Sequence, residues 1–227
     1  MFDALYRTLI FEDRWKFYAE GLFNTLLMTT IACILGIIIG VIIALIKVKH
    51  AQNGKLKILN GVCDLYTTVI RGTPVLVQVL ILWYIVFPSA PANFAVFGAA
   101  LAFGMNSGAY VSETIRAGIQ SVNRGQMEAG CSLGLSQGQT MRLIIIPQAI
   151  KNILPALFNE FIQLVKETSV AGWIAVVDIT RAGDLIRTRV WTYTPLLVSA
   201  AMYLIIVLAL TRVQKSIEKR LNASDTH

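Results

Sequence analysis

The sequence has few charged residues and almost no histidine. Only 15% of its 227 residues are Asp, Glu, Lys or Arg, whereas a soluble domain usually carries about 25%. The two histidines, His50 and His227, both lie outside the apolar runs. A soluble globular domain is therefore a poor fit, and so is a membrane-embedded enzyme that needs histidine-rich helices at membrane depth.

Motifs that carry catalysis or hold a cofactor are also missing. The sequence has no phosphate-cradling Gly-Lys-Ser/Thr loop, no cluster of metal ligands and no nucleophile paired with a histidine. Its three cysteines, Cys33, Cys63 and Cys131, are odd in number and show neither disulfide nor metal spacing. We therefore predict a chain that is not an enzyme, with no catalytic residue, no bound metal and no cofactor of its own.

Long apolar runs are what the sequence does have, and they predict an all-α membrane protein. Of its residues 56% are hydrophobic, and runs near 20 residues are long enough to span a bilayer. The first run is too long for a signal-peptide core, so we expect it to be retained. The basic residues behind the net charge of +7 are then expected in cytoplasmic loops and near lipid headgroups, and they do not indicate binding to nucleic acid. Five spans are predicted, at about 21–46, 58–86, 94–115, 144–165 and 194–210.

Two of the predicted spans contain residues that predict a bend or a close contact with another helix. The second is interrupted by Arg71, Gly72 and Pro74, which predict a kinked or broken helix. Arg71 either extends to the headgroups or acts as a clamp beside the pathway. In the first span Gly36 and Gly40 are spaced so that another helix could approach closely; alternatively, both merely face lipid.

Positive charge predicts how the chain lies in the membrane. The loop after the first span, the loop around 123–147 and the C-terminal tail carry ten Lys and Arg, against three in the N-terminal segment and the Pro88 turn. This asymmetry predicts an external N-terminus and an internal C-terminus. Three regions follow: an interfacial segment at 1–19, a transmembrane domain at 20–215 and a cytoplasmic tail at 216–227.

The polar stretch 128–147 between two apolar runs is too hydrophilic to lie in lipid. Ahead of it, Asn123 suits an N-cap, and Gln126 is spaced to complete a capping box. Gly134 suits a left-handed C-cap. The pattern predicts a short polar helix at 124–133, held between two membrane segments as a contact for something outside the membrane.

The spacing in this stretch resembles the EAA loop of the permease subunits of binding-protein-dependent ABC importers. Gly130 stands where that motif has a second Ala, and Ile146 where it has Leu. The resemblance implies a type I importer permease fold whose loop forms a cytoplasmic coupling helix that docks on the ATPase subunit. The alternative is an ordinary polar loop. The matching residues are Glu128, Ala129, Gly130, Gly134, Ile144, Ile146 and Pro147.

Further segments resemble the polar amino acid subfamily of these permeases. The resemblance implies uptake of an amino acid such as arginine, histidine, lysine, glutamine or cystine across the bacterial inner membrane. The implied partners are two ATPase subunits that bind ATP and Mg²⁺, a second permease copy, an external binding protein and membrane lipid. The segments begin at Gly21 (GLFNTL), Arg71 (RGTPVLVQ), Tyr110 (YVSETIRAGI), Ile146 (IPQAI) and Lys166 (KETS).

Polar side chains also recur at helical spacing within two predicted spans. Such stripes suggest a lined passage for solute, and Arg116 is spaced to pair with Glu113. The alternative is that they only bond neighbouring helices, and a membrane scaffold that transmits force without moving solute would need no such stripes. The third span carries Asn106, Tyr110 and Glu113; the fourth carries Asn152, Asn159, Gln163 and Lys166, with Glu160 and Glu167 one position round.

Overall fold

The computed structural model describes residues 2–223, a range that contains helices and turns and no strand. Met1 of the predicted interfacial segment and 224–227 of the predicted tail lie outside it. Two π-helical turns, Leu82–Val86 and Met141–Ile145, extend α4 and precede α8. The helices are α1 (Phe2–Leu9), α2 (Trp15–Asn53), α3 (Lys57–Gly72), α4 (Val75–Ile81), α5 (Ala95–Gln120), α6 (Arg124–Ser132), α7 (Gln137–Thr140), α8 (Ile146–Glu167), α9 (Ile179–Val190) and α10 (Thr194–Ala223).

The number of membrane spans agrees with the prediction of five. Within the described residues four helical segments are long and apolar enough to cross a membrane, and a bent pair, α3 with α4, makes a fifth. The helices extend beyond the predicted membrane spans, since α2 continues to Asn53 and α10 to Ala223. An apolar run indicates only the part of a helix that lies in lipid. Lysine and arginine also favour the helical conformation, so a helix can continue beyond its apolar run.

The predicted break in the second span is confirmed. The axes of α3 and α4 differ by 108° across Thr73 and Pro74. Proline and the bend free backbone carbonyls, and the side-chain amide of Gln78 donates to two of them, Ile70 O at 2.7 Å and Thr73 O at 3.1 Å. Irregular backbone at membrane depth is stable only when such groups are satisfied by protein or water, so Gln78 supports the bend.

The centre of the bundle is the close contact between α2 and α5. A Cβ built on Gly36 would lie 2.7 Å from Ser107 Oγ, and one on Gly40 would lie 2.7 Å from Val111 Cβ. Both glycines therefore face α5 rather than lipid. This confirms the prediction that their spacing lets another helix approach closely. Because the backbones approach so closely, dispersion contacts stabilise the pair without a hydrophobic driving force.

The loop before α9 is fixed to the beginning of α2. A Cβ on Gly21 would lie 2.7 Å from Asp178 O, and Asn24 Nδ2 donates to Val177 O at 2.9 Å. Asp178 is fully buried and caps α9, accepting from Thr180 N at 2.8 Å. Burial raises the pKa of the Asp178 carboxyl, while this backbone hydrogen bond opposes the increase.

Candidate functional site

The short polar helix predicted at 124–133 is present as α6, Arg124–Ser132. Asn123 Oδ1 accepts from Gly125 N at 2.8 Å, and Gly134 adopts a left-handed φ of +87° beyond the helix end. The capping box expected between Asn123 and Gln126 is wrong, because the Asn123 side chain bonds the second helical residue instead. A reciprocal capping box forms one turn later, at α7, between Ser136 and Gln139.

The two faces of α6 differ in exposure. Gly130 is buried against α7, where a Cβ would lie 2.8 Å from Thr140 Oγ1. Glu128 and Ala129 are exposed on the other side. Leu133, at the end of the helix, is 83% exposed, and the motif comparison gave no signal for it. The glycine in place of alanine thus lets α6 pack on α7, leaving a charged and an apolar side chain free for a partner.

The C-terminal part of the motif leads from the polar loop into α8. Ile144 lies half-buried in the π-helical turn, and Pro147 is the second residue of α8. The helix is continuous here, since Ile146 N donates to Met141 O of the π-helical turn, and Pro147 follows as a residue without an amide hydrogen. The seven motif residues therefore form one continuous unit from α6 into a membrane-spanning segment.

Replacing Gly130 with alanine tests this packing. We expect Gly130→Ala to displace α6 from α7 and to lower the midpoint of thermal unfolding in detergent, because its methyl group would overlap Thr140. The double variant Gly130→Ala/Thr140→Ala should restore most of the lost stability. Gly138→Ala is the matched control, since nothing lies within 4 Å of a Cβ there. Equal effects of Gly130→Ala and Gly138→Ala would refute the packing argument.

The polar stripe on α5 faces the broken span. Asn106 is buried, and its Nδ2 donates to Gln78 Oε1 at 3.0 Å. The Tyr110 ring is exposed, with the Arg71 guanidinium over it at 5.4 Å from the centroid. Of the two alternatives for Arg71, this position agrees with the clamp between α3 and α5.

An ion cluster joins α2, α3 and α5, and the sequence did not reveal it. Lys47 Nζ lies 2.9 Å from Glu113 Oε1 and 3.1 Å from Asp64 Oδ1, and Arg116 pairs with Glu113 at 2.7 Å as expected. Lys47 directly follows the predicted first span and was counted with the basic loop after it. It lies inside α2 with a side chain that is 9% exposed, so that assignment was wrong. Seven residues separate Gly40 from Lys47, which puts both on the face of α2 that packs against α5. That spacing was the available signal.

The polar stripe on α8 is largely open, although Asn152 Nδ2 donates to Ser121 Oγ at the end of α5 at 2.9 Å. Asn152, Asn159, Gln163 and Lys166 are all exposed, as expected for residues on one helix face, while Glu160 and Glu167 are half-buried. The structure does not bring the two stripes together, because that of α5 contacts α2, α3 and α4. Among residues 2–223, no group of three or more His, Cys, Asp or Glu is placed to hold a metal ion.

The chain is similar to curated permease proteins over nearly its whole length. A protein of Rickettsia bellii (strain RML369-C), named provisionally as glutamine transport system permease protein GlnP, is 39% identical, covering 99% of this chain and 100% of the relative. The arginine transport system permease protein ArtQ of Bacillus subtilis is 36% identical over 92% and 94%. The L-cystine transport system permease protein TcyB of the same organism is 38% identical over 94% and 90%.

Solved structures agree with these relatives. A chain from the crystal structure of an amino acid ABC transporter with histidines superposes with a TM-score of 0.82 at 40% identity, covering 90% of this chain and 94% of that one. An inward-facing structure of the MetNI methionine ABC transporter has a TM-score of 0.77 at 16% identity, which supports the fold alone. The profile described as "Binding-protein-dependent transport system inner membrane component" matches residues 21–223. The chain belongs to this family of transport system membrane components.

Proposed function

We propose that this chain is the transmembrane subunit of an ATP-driven importer that receives a polar or charged amino acid from an external binding protein. The observation that carries the proposal is α6, a capped polar helix between two spans with Glu128 exposed. Relatives named for glutamine, arginine and cystine transport support the substrate class. ATP and Mg²⁺ belong to a separate ATPase, so the permease itself performs no chemistry.

In the proposed mechanism α6 acts as a rigid contact for the ATPase. Two ATPase subunits close on ATP, and each moves the α6 that is seated on it. Because Gly130 packs against Thr140 and the chain continues from α7 into α8, this movement reaches the membrane helices directly. Two permease copies, identical or similar, then alternate between inward and outward states.

We propose that the solute passes along the exposed polar face of α8. Asn159 and Gln163 have no covering helix within the described part of the chain, and Glu160 and Glu167 flank them. Exposed polar groups at membrane depth are costly in lipid and therefore favour a second subunit or a wet cavity. Tyr110 remains a candidate for contact with the solute. Asn106 is bonded to Gln78, and Glu113 is paired with Lys47 and Arg116. We therefore assign Asn106 and Glu113 a structural role.

We further propose that the protein lies in the bacterial inner membrane with its N-terminus outside and α6 in the cytoplasm. The charge asymmetry of the loops supports this orientation. It can be measured by labelling single cysteines in intact cells with an impermeant reagent. A cysteine at Ser89, in the turn before α5, should react, and Cys131 on α6 should not. The opposite pattern would reverse the orientation.

Reconstitution tests the proposed function. The permease is purified with its ATPase and placed in liposomes with the external binding protein and labelled glutamine, arginine, histidine or cystine. ATP-dependent uptake of one of them is expected. If the complex binds the ATPase and turns over ATP but moves no solute, the chain is instead an ATPase-coupled scaffold.

Glu128→Lys tests the contact with the ATPase. Reversing this exposed charge should abolish uptake and reduce copurification of the ATPase by about tenfold or more, since close charge pairs across interfaces contribute at least 1.4 kcal/mol. Membrane insertion and thermal stability should stay unchanged, because the Glu128 side chain is exposed. Ser132→Lys, on the same helix, is the control for added charge. Normal uptake by Glu128→Lys would remove Glu128 from the contact.

A further inference from the structure

A cavity of about 580 Å³ lies between α1 and the C-terminal end of α9, apart from the coupling helix and the proposed passage. Three arginines line it: Arg7 from α1, Arg14 from the turn before α2 and Arg189 from α9. Aromatic rings alternate with them. These are Tyr6, Phe11 and Trp191. The combination of guanidinium groups and exposed rings is typical of sites for an anion with an organic body.

The Arg14 guanidinium is held in place through Nη1 and Nη2. Its side chain is 7% exposed; Nη1 donates to Arg7 O at 2.7 Å, and Nη2 pairs with Glu12 at 2.9 Å. Nε is buried and has no hydrogen-bond partner among residues 2–223. Buried donors are nearly always satisfied. The turn that positions Arg14 has left-handed φ at Glu12 and Asp13, and such backbone strain is often found at binding sites.

Arg189, at the C-terminal end of α9, supplies a second, exposed charge to the cavity. Its guanidinium lies 5.1 Å from the centroid of the Phe17 ring, and no carboxylate of the described residues is within ion-pair distance. Trp191 follows it with a left-handed φ of +54° and is 91% exposed. Glu12 pairs with Arg14, whereas Arg189 is exposed, so an anion in the cavity could take a donor from each of these two arginines.

The cavity lies at the outer limit of the lipid headgroups. Arg14 precedes Gly21, where the apolar run of α2 begins, by seven residues, which is about 10 Å along a helix. The headgroup layer extends roughly 5–8 Å beyond the hydrocarbon core, so Arg14 lies at the outer edge of that layer. Exposed Phe11 and Trp15 flank the cavity, and aromatic residues concentrate at this level. The anion that is most concentrated there is phospholipid phosphate.

We propose that this cavity binds the headgroup phosphate of an anionic phospholipid, between Arg14 and Arg189, with its glycerol region beside Phe11 and Trp191. Guanidinium groups bind phosphate oxygens through paired, charge-assisted hydrogen bonds. Arg14 Nε thereby gains its acceptor. The bound lipid would join α1 to α9, two elements that contact each other only locally at the membrane surface.

Native mass spectrometry of the detergent-purified transporter complex tests the proposal. Phosphatidylglycerol should bind with higher affinity than phosphatidylcholine, and Arg189→Gln should weaken phosphatidylglycerol binding roughly tenfold, as expected for losing one charge-assisted contact. Arg189 is exposed, so its replacement leaves the fold intact. Lys16→Gln is the matched control, because Lys16 is an exposed cation at the same depth that pairs with Asp13 at 2.6 Å. It should bind lipid as the unaltered protein does.

Four results would overturn the proposal. Equal binding of the two lipids would remove the requirement for an anionic headgroup, and unchanged binding by Arg189→Gln would remove the site. Full displacement of phosphatidylglycerol by millimolar inorganic phosphate would identify a soluble anion as the ligand. If Arg189→Gln kept its lipid but lost the stimulation of ATP turnover by the binding protein, the surface would belong to that protein instead.

Discussion

Replacing Gly40 with valine is expected to separate α2 from α5 and destabilise the bundle by about 3 kcal/mol or more. A Cβ at this position would lie 2.7 Å from Val111 Cβ and 3.0 Å from Ser112 N. The second contact is with backbone, so no side-chain rotation relieves both, and α2 must move away. Thermal unfolding in detergent should show a lower midpoint, accompanied by a poor yield of monodisperse protein.

Gly61→Val provides the matched control. Gly61 is also a helical glycine, in α3, but nothing lies within 4 Å of a Cβ built there. Because both substitutions change helix propensity in the same way, a difference between them reports packing alone. Equal midpoints for the two variants would show that α2 and α5 do not approach as closely as described.

The Lys47→Met variant should lose about 2–3 kcal/mol of stability and most of its transport. The methionine keeps the length of the side chain and removes the charge that Glu113 and Asp64 share. Taking one partner from a buried ion pair costs 3–5 kcal/mol. The expected loss is smaller here, because Asp64 is 54% exposed and Glu113 keeps Arg116. Thermal unfolding and uptake assays measure both effects.

A double-mutant cycle separates the ion pair from other consequences of the change. Lys47→Met combined with Glu113→Gln should be less destabilised than the sum of the two single variants, because the second change removes the carboxylate that the first deprives of Lys47. Lys49→Met is the control, since Lys49 is an exposed lysine two positions along the same helix. Strict additivity would mean that the 2.9 Å contact of Lys47 with Glu113 contributes nothing.

The features predicted well from sequence are those whose causes are local. Asn123 and Gly134 delimit α6 because a cap and a left-handed turn involve only neighbouring residues, and Gly72 with Pro74 disrupts a helix in any environment. The division into five spans likewise follows from apolar length. The domain boundaries at 19/20 and 215/216 concern membrane contact, which helix bounds do not test, and they stay predictions.

What could not be predicted depends on partners that are distant in the chain. Lys47 was placed in a loop because charge counts reveal no partner 66 residues away. The role of Gly130 depends on Thr140 Oγ1, and that of Gln78 on carbonyls freed by a bend of 108°. Helical periodicity correctly grouped the polar residues of α5 on one helix face and those of α8 on another. It could not predict that the polar face of α5 packs inside the bundle while that of α8 is exposed.

The length of α2 has a mechanical consequence. Its 39 residues form a rod of about 58 Å, nearly twice the thickness of the hydrocarbon core, and it contains no proline at which to bend. One end is anchored to the Asp178 loop through Gly21 and the other to α3 and α5 through Lys47. Because a rigid helix that is fixed at both ends cannot move at one end without tilting, a displacement near Lys47 also moves the Asp178 loop at the opposite membrane surface.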